Sequence, residues 1–159
     1  MVPTVVVLTD DMRRVLEEQK LGFIATVTPD GKPNLSPKGT TAAWDDEHLI
    51  FADICSPNTI LNLRANPAIE INVVDPIIRK GYRFKGAATV LSDGAVFEEI
   101  VQFYRQRGTA FAIKNIVLMK VEQAAALISP AYDSGRSEED VSDYWERHRD
   151  ELRQRRGQS

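Results

Sequence analysis

Every second residue of Asn34-Leu35-Ser36-Pro37-Lys38-Gly39-Thr40-Thr41 is polar, so Asn34, Ser36, Lys38 and Thr40 share one face if the run is a strand. Pro37 cannot donate to a sheet ladder and Gly39 packs nothing. The segment therefore belongs at an edge or a bulge, where another group approaches the backbone closely. A ligand is one such group. A solvent-facing polar strand with an irregularity is another, and the strand alone does not separate them. Ser56-Pro57 is a second signal, because Ser is a favoured N-cap and Pro suits the first helical position. The free N–H groups of that helix start, near Asn58 and Thr59, form an anion site with the positive end of the helix dipole, and the Ser56 and Thr59 hydroxyls add donors. A plain cap is the simpler account of Ser56 by itself. If a strand delivers this helix start beside Lys38, a cation and several neutral donors converge as a phosphate monoester requires. Arg83 and Lys85 are the third feature, alternating on one strand face opposite Tyr82 and Phe84. Two such cations repel unless they meet an anion or reach solvent.

Metal chemistry is not expected. His48 and His148 have no ligand spacing between them, and no Cys or carboxylate cluster completes a site. The lone Cys55 reads as a small apolar filler.

The elements that must position these residues can be read from periodicity. Residues 9 to 20 begin with cap candidates Thr9 and Asp10 and space Met12, Val15 and Leu16 as a helix does. From Leu21 the period becomes two, with Phe23, Ala25 and Val27 on one face. A Pro29-Asp30-Gly31 turn then leads to a second strand running through Trp44. After Asp45-Asp46-Glu47, a third strand spans His48 to Ile54 with Ile50, Ala52 and Ile54 on one side, so a three-stranded meander is expected. The Ser56 helix ends before Asn66-Pro67. Strands follow at Ile69 to Val74 and Tyr82 to Leu91, separated by a Pro76 loop carrying Arg79 and Lys80. Phe97, Ile100, Val101 and Tyr104 predict a helix with one buried face, stopped near Gly108. Asn115 to Val121 reads as the last strand. Ser137 to Arg156 reads as a charged helix with Val141, Tyr144, Trp145, His148 and Leu152 on one side.

Six short strands joined mostly by tight turns, with helices between some of them, predict a mainly β (α+β) fold: an antiparallel barrel with helical additions. A Rossmann sheet is disfavoured, because the first three strands are joined by turns too short for crossovers. The 159 residues, 43% apolar and 27% charged, suffice for one domain with a real core. A net charge of −3 gives no general attraction to phosphate backbones, and no apolar stretch is long enough for a membrane-spanning helix. Neither nucleic acid nor membrane is expected as a partner. Met1 to Leu8 lacks a basic leader and a small-residue cleavage site, and a single cysteine fits a reducing compartment, so a cytoplasmic location is expected.

The hairpin Thr26 to Thr40 resembles the first hairpin of the pyridoxamine-phosphate-oxidase-like FMN-binding split barrels. Phe51-Ala52-Asp53, Ser56 to Thr59, Asn62-Leu63-Arg64-Ala65-Asn66-Pro67 and Arg83-Phe84-Lys85-Gly86 follow in that family's order, over about residues 10 to 130. The subgroup most resembled is the flavin-nucleotide-binding one. The resemblance implies a six-stranded antiparallel split β-barrel with Greek-key-like closure and peripheral helices, a homodimer, and FMN as cofactor near the subunit seam. It implies that Lys38, Gly39, Thr40 and Thr41 line the flavin ring and ribityl chain, with Ser36 also in the cofactor site. Ser56, Asn58 and Thr59 would face the phosphate, with Arg83 and Lys85 near the flavin or the seam. Where pyridoxamine-phosphate oxidases carry an Arg-Lys pair for the phosphate, this chain has Asn58-Thr59. It also lacks their C-terminal Arg and Trp pair, Trp145 lying in the charged tail. The resemblance thus extends to the flavin site and not to vitamin B6 oxidation. Two functions follow from it: an oxidoreductase passing electrons from a reduced nicotinamide or other donor to an unidentified small molecule, or a non-catalytic flavin carrier or redox sensor.

Overall fold

The first helix begins as Thr9 predicts. Its hydroxyl accepts from the Met12 amide at 3.2 Å, while Asp10 and Asp11 complement the positive end of helix α1, Asp10–Gln19. Lys20 ends the helix in the left-handed conformation, and Val15 and Leu16 are buried. The computed structural model describes residues 5–158, so the leader reading of Met1 to Leu8 falls partly outside the described residues.

Among the described residues seven strands follow: β1 Gly22–Val27, β2 Pro33–Lys38, β3 Ala42–Ala43, β4 His48–Asp53, β5 Ala68–Asp75, β6 Lys80–Leu91 and β7 Asn115–Ile128. They form one antiparallel sheet in the order β2-β1-β5-β6-β7-β4-β3. Its two outermost strands are consecutive in the chain. Residues 39 to 41 alone join them and can span at most about 14 Å, whereas the edges of a flat seven-stranded sheet would lie about 29 Å apart. The sheet must therefore curl on itself, and the result is a split barrel.

Two expectations are corrected here. The second strand is not continuous to Trp44 but breaks at Gly39 to Thr41, which makes seven strands rather than six. At the break the Thr40 hydroxyl does a backbone carbonyl's work, accepting from the Ala52 amide at 2.9 Å. The opening three strands are not a meander either, because β4 pairs with β7 and β3, far from β2 in the sheet. Lesser differences have similar causes. The buried face of β1 is Gly22, Ile24 and Thr26, so Phe23, Ala25 and Val27 form the outer face. β7 runs seven residues past the expected end at Val121, because the twelve-residue β6 supplies a partner ladder out to Lys80 opposite Ile128. A bulge between Lys85 and Gly86 absorbs the extra residue of β7.

Helix α2, Pro57–Ala65, and helix α3, Ala95–Gln106, complete the core. One cluster fills the barrel around Leu16, Ile24, Phe51, Phe84 and Met119. A second lies under α3, where Ile100 and Tyr104 pack on Ile50, Ala52 and Ile116. β4 separates the two, which explains its unbroken apolar run Leu49 to Ala52. The chain ends with a 3₁₀ turn, Pro130–Ser134, and helix α4, Glu138–Gly157, opened by a Ser137/Asp140 capping box. Of the expected apolar stripe on α4, only Val141 is buried. Trp145 is covered by the Arg79 guanidinium at 3.5 Å, while Tyr144 and Leu152 face solvent. Among the described residues no helix is long and apolar enough to cross a membrane.

Candidate functional site

The break between β2 and β3 is held from three sides. Thr41, buried, donates from Oγ1 to the Lys38 carbonyl at 2.9 Å. Thr40 ties the break to Ala52 on β4. Tyr104 of α3 donates its phenol to the Thr40 carbonyl at 2.6 Å, and burial pushes that phenol's pKa well above its usual value, so it stays a donor throughout the neutral range. Gly22, opposite Lys38 in the ladder, makes room for the turn: a Cβ there would lie 2.5 Å from Thr41 Oγ1.

This suture shapes a cleft of about 750 Å³. Three segments line it: Ser36 to Thr40 from β2 and the break, Ala52 with Ile54 to Ser56 from β4 to the start of α2, and Arg107 to Phe111 after α3. β2 turns its polar face inward, leaving Ser36, Lys38 and Thr40 half-buried while Leu35 is 67% exposed. Lys38 Nζ donates to Ser36 Oγ at 2.5 Å, and no carboxylate lies within ion-pair distance among the described residues. Burial lowers its pKa, an effect the nearby Asp53 opposes. Asp53 is itself buried and spoken for, accepting from the Ser56 amide at 2.8 Å and from Asn115 Nδ2 at 2.7 Å. Ser56 stands at the N-cap position but makes no side-chain cap bond, and Pro57 carries no N–H. The helix start therefore keeps an uncommitted hydroxyl and orphan amides at Asn58 and Thr59.

Of the ten residues singled out in the sequence, Ser36, Lys38, Gly39, Thr40 and Ser56 line this one cleft. Thr41 lies behind it, in a recess of about 100 Å³ with Lys20 and Tyr104. On α2 the Asn58 side chain is exposed and Thr59 is buried; neither lines the cleft. Arg83 and Lys85 are on the outer face of the sheet, 2.8 and 3.7 Å from Glu70, the anion that relieves their repulsion. Cys55 is exposed at the rim rather than filling the core. Sequence reasoning missed Arg107 and Phe111. The signal available was the Arg-Gly-Thr-Ala-Phe run just past a helix stop, where Gly108 adopts φ +87° and loops gather functional side chains.

Comparison with known proteins agrees with this fold. HupZ of Group A Streptococcus superposes with a TM-score of 0.70 at 32% identity, over 76% of this chain and 94% of that one. An FMN-binding protein from Syntrophomonas wolfei is similar at 19% identity and a TM-score of 0.64, over 75% and 85% of the two chains. An F420 reductase matches at 21% identity with a TM-score of 0.58, over 74% and 98%. No curated protein matches the sequence. The family model described as pyridoxamine 5'-phosphate oxidase matches residues 8–128, the whole barrel from before α1 to the end of β7, and the chain belongs to that family.

Proposed function

We propose that the protein binds FMN along the side of the cleft formed by β2 and the start of α2, and works as an oxidoreductase. The observation that carries this reading is the donor set at one end of the cleft. A half-buried lysine without a carboxylate partner sits on the same cleft as an uncapped helix start with a free serine hydroxyl. Such a set suits a phosphate monoester. The volume suits a mononucleotide, since ligand clefts run to roughly 300–1,000 Å³. Lys38 and Ser56 would hold the phosphate, with the positive end of the α2 dipole behind Ser56; Ser36, Gly39 and Thr40 would line the ring and ribityl chain. Thr41 supports the lining from behind.

When bound, FMN supplies a ring that accepts hydride and passes electrons on. Lys38, at the phosphate end, adds positive charge to a cleft whose ring becomes anionic on reduction, which favours a raised flavin potential. A second copy would close the cleft. The outer face of β1 and β2 supports that partner: Phe23 and Leu35 are 43% and 67% exposed there, next to Pro33 and Pro37. Arg83, Lys85 and Glu70 would then lie at the seam. A cytoplasmic location is consistent with the free Cys55.

The test is anaerobic reduction of the FMN-loaded protein by NADH or NADPH, followed by quinones and other small acceptors. Bleaching of the flavin band by either nucleotide and its return on adding acceptor is the expected result. No reduction by either, with a potential unchanged from free FMN, would leave a flavin carrier instead.

A further inference from the structure

Arg107 and Phe111, on the loop after α3, form a wall of the cleft that Lys38 and Ser56 also line, and the cofactor reading gives neither side chain a contact. The wall is fixed in place. Arg105 Nη1 donates to the Thr109 carbonyl at 2.7 Å and to the Phe111 carbonyl at 2.8 Å, clamping the loop onto the end of α3. The Arg107 guanidinium lies over the Phe103 ring at 4.1 Å and spends one nitrogen on Glu17 at 2.7 Å. Its remaining N–H donors have no acceptor among the described residues. Phe111 is 66% exposed and belongs to neither core cluster, so its ring is an apolar surface offered to the cleft it lines. A rigid aromatic face and a bidentate-capable cation on one short loop are the two elements that recognise a flat ring bearing an acidic group.

We infer that this wall selects the second substrate, a planar aromatic molecule carrying a carboxylate or similar anion, with Phe111 as the ring platform and Arg107 as the anion anchor. This rests on the FMN reading, which assigns the β2 and α2 side of the cleft to the cofactor.

The experiment is calorimetric titration of the FMN-loaded protein with 2-naphthoate and with its neutral counterpart 2-naphthylmethanol, FMN binding by each variant being measured first. Wild type should prefer the carboxylate by about tenfold or more, the margin of one charge-assisted contact. Arg107→Gln should erase that preference with FMN affinity unchanged, and Phe111→Ala should weaken both probes. Glu17→Gln, which frees Arg107 from its partner, should tighten 2-naphthoate alone and covers the case in which Arg107→Gln does not fold. Equal binding of the two probes by wild type, or a preference untouched by Arg107→Gln and Glu17→Gln, overturns the inference while the FMN reading stands. Failure of wild type to bind FMN overturns the FMN reading and this inference with it.

Discussion

Lys38 is the residue on which the phosphate site turns, because it is the cation that the cleft half-buries without pairing it to a carboxylate. Lys38→Ala should weaken FMN roughly ten- to a hundredfold, the worth of a charge-assisted contact. The thermal midpoint should move little, since the side chain contributes to neither core cluster. Fluorescence titration paired with thermal melts checks both halves, and equal affinity in mutant and wild type would remove Lys38 from the site. The pH dependence has a definite sign. Burial holds the Lys38 pKa below its usual 10.5, so the ammonium is lost earlier than in a free lysine as pH rises. The FMN dissociation constant should therefore climb on the alkaline side before pH 10.5 is reached. Riboflavin, which has no phosphate, should lack that component, and so should the Lys38→Ala variant.

At the scale of elements, the site depends on the suture between β2 and β3. Tyr104→Phe deletes one donor and leaves the Thr40 carbonyl without it, at a cost of about 1–3 kcal/mol. Gly22→Ala would push a methyl into Thr41 and displace the turn itself. Both variants should lose stability and FMN affinity together, unlike Lys38→Ala; a melting point lowered with FMN binding intact would mean that the suture does not shape the cleft. Much of this was legible in the sequence. The polar alternation from Asn34 to Thr40 and the Ser56-Pro57 start are local signals, and they lie on one cleft. What the sequence concealed was non-local. Gly39 and Pro37 announced an irregularity, but only the pairing of β4 with β7 shows that it sends the chain from one sheet edge to the other. Arg107 and Phe111 escaped notice because a loop after a helix stop has no periodicity, and the Arg105 clamp that orders it is a side-chain contact.

For the molecule as a whole, the inverted pattern of β2, polar inside and apolar outside, asks for both a ligand and a partner. Leu35→Glu places a charge on the exposed apolar face without touching the core. Light scattering should then show wild type as a dimer at micromolar concentration and the variant as a monomer; a monomeric wild type with FMN bound would contradict the dimer. The C-terminal helix lies outside the region shared with the family and rests on the barrel through Val141, Trp145 and the Lys80–Glu138 pair at 2.8 Å, at the β5–β6 hairpin rather than at the cleft. The central claim is that the cleft holds a flavin mononucleotide by its phosphate, and it is tested most directly by titrating FMN, riboflavin and FAD into the purified protein while following flavin fluorescence. The account predicts saturable binding with FMN tightest and riboflavin weaker by at least about tenfold. Protein that is colourless as purified and leaves the fluorescence of added FMN unchanged would contradict it.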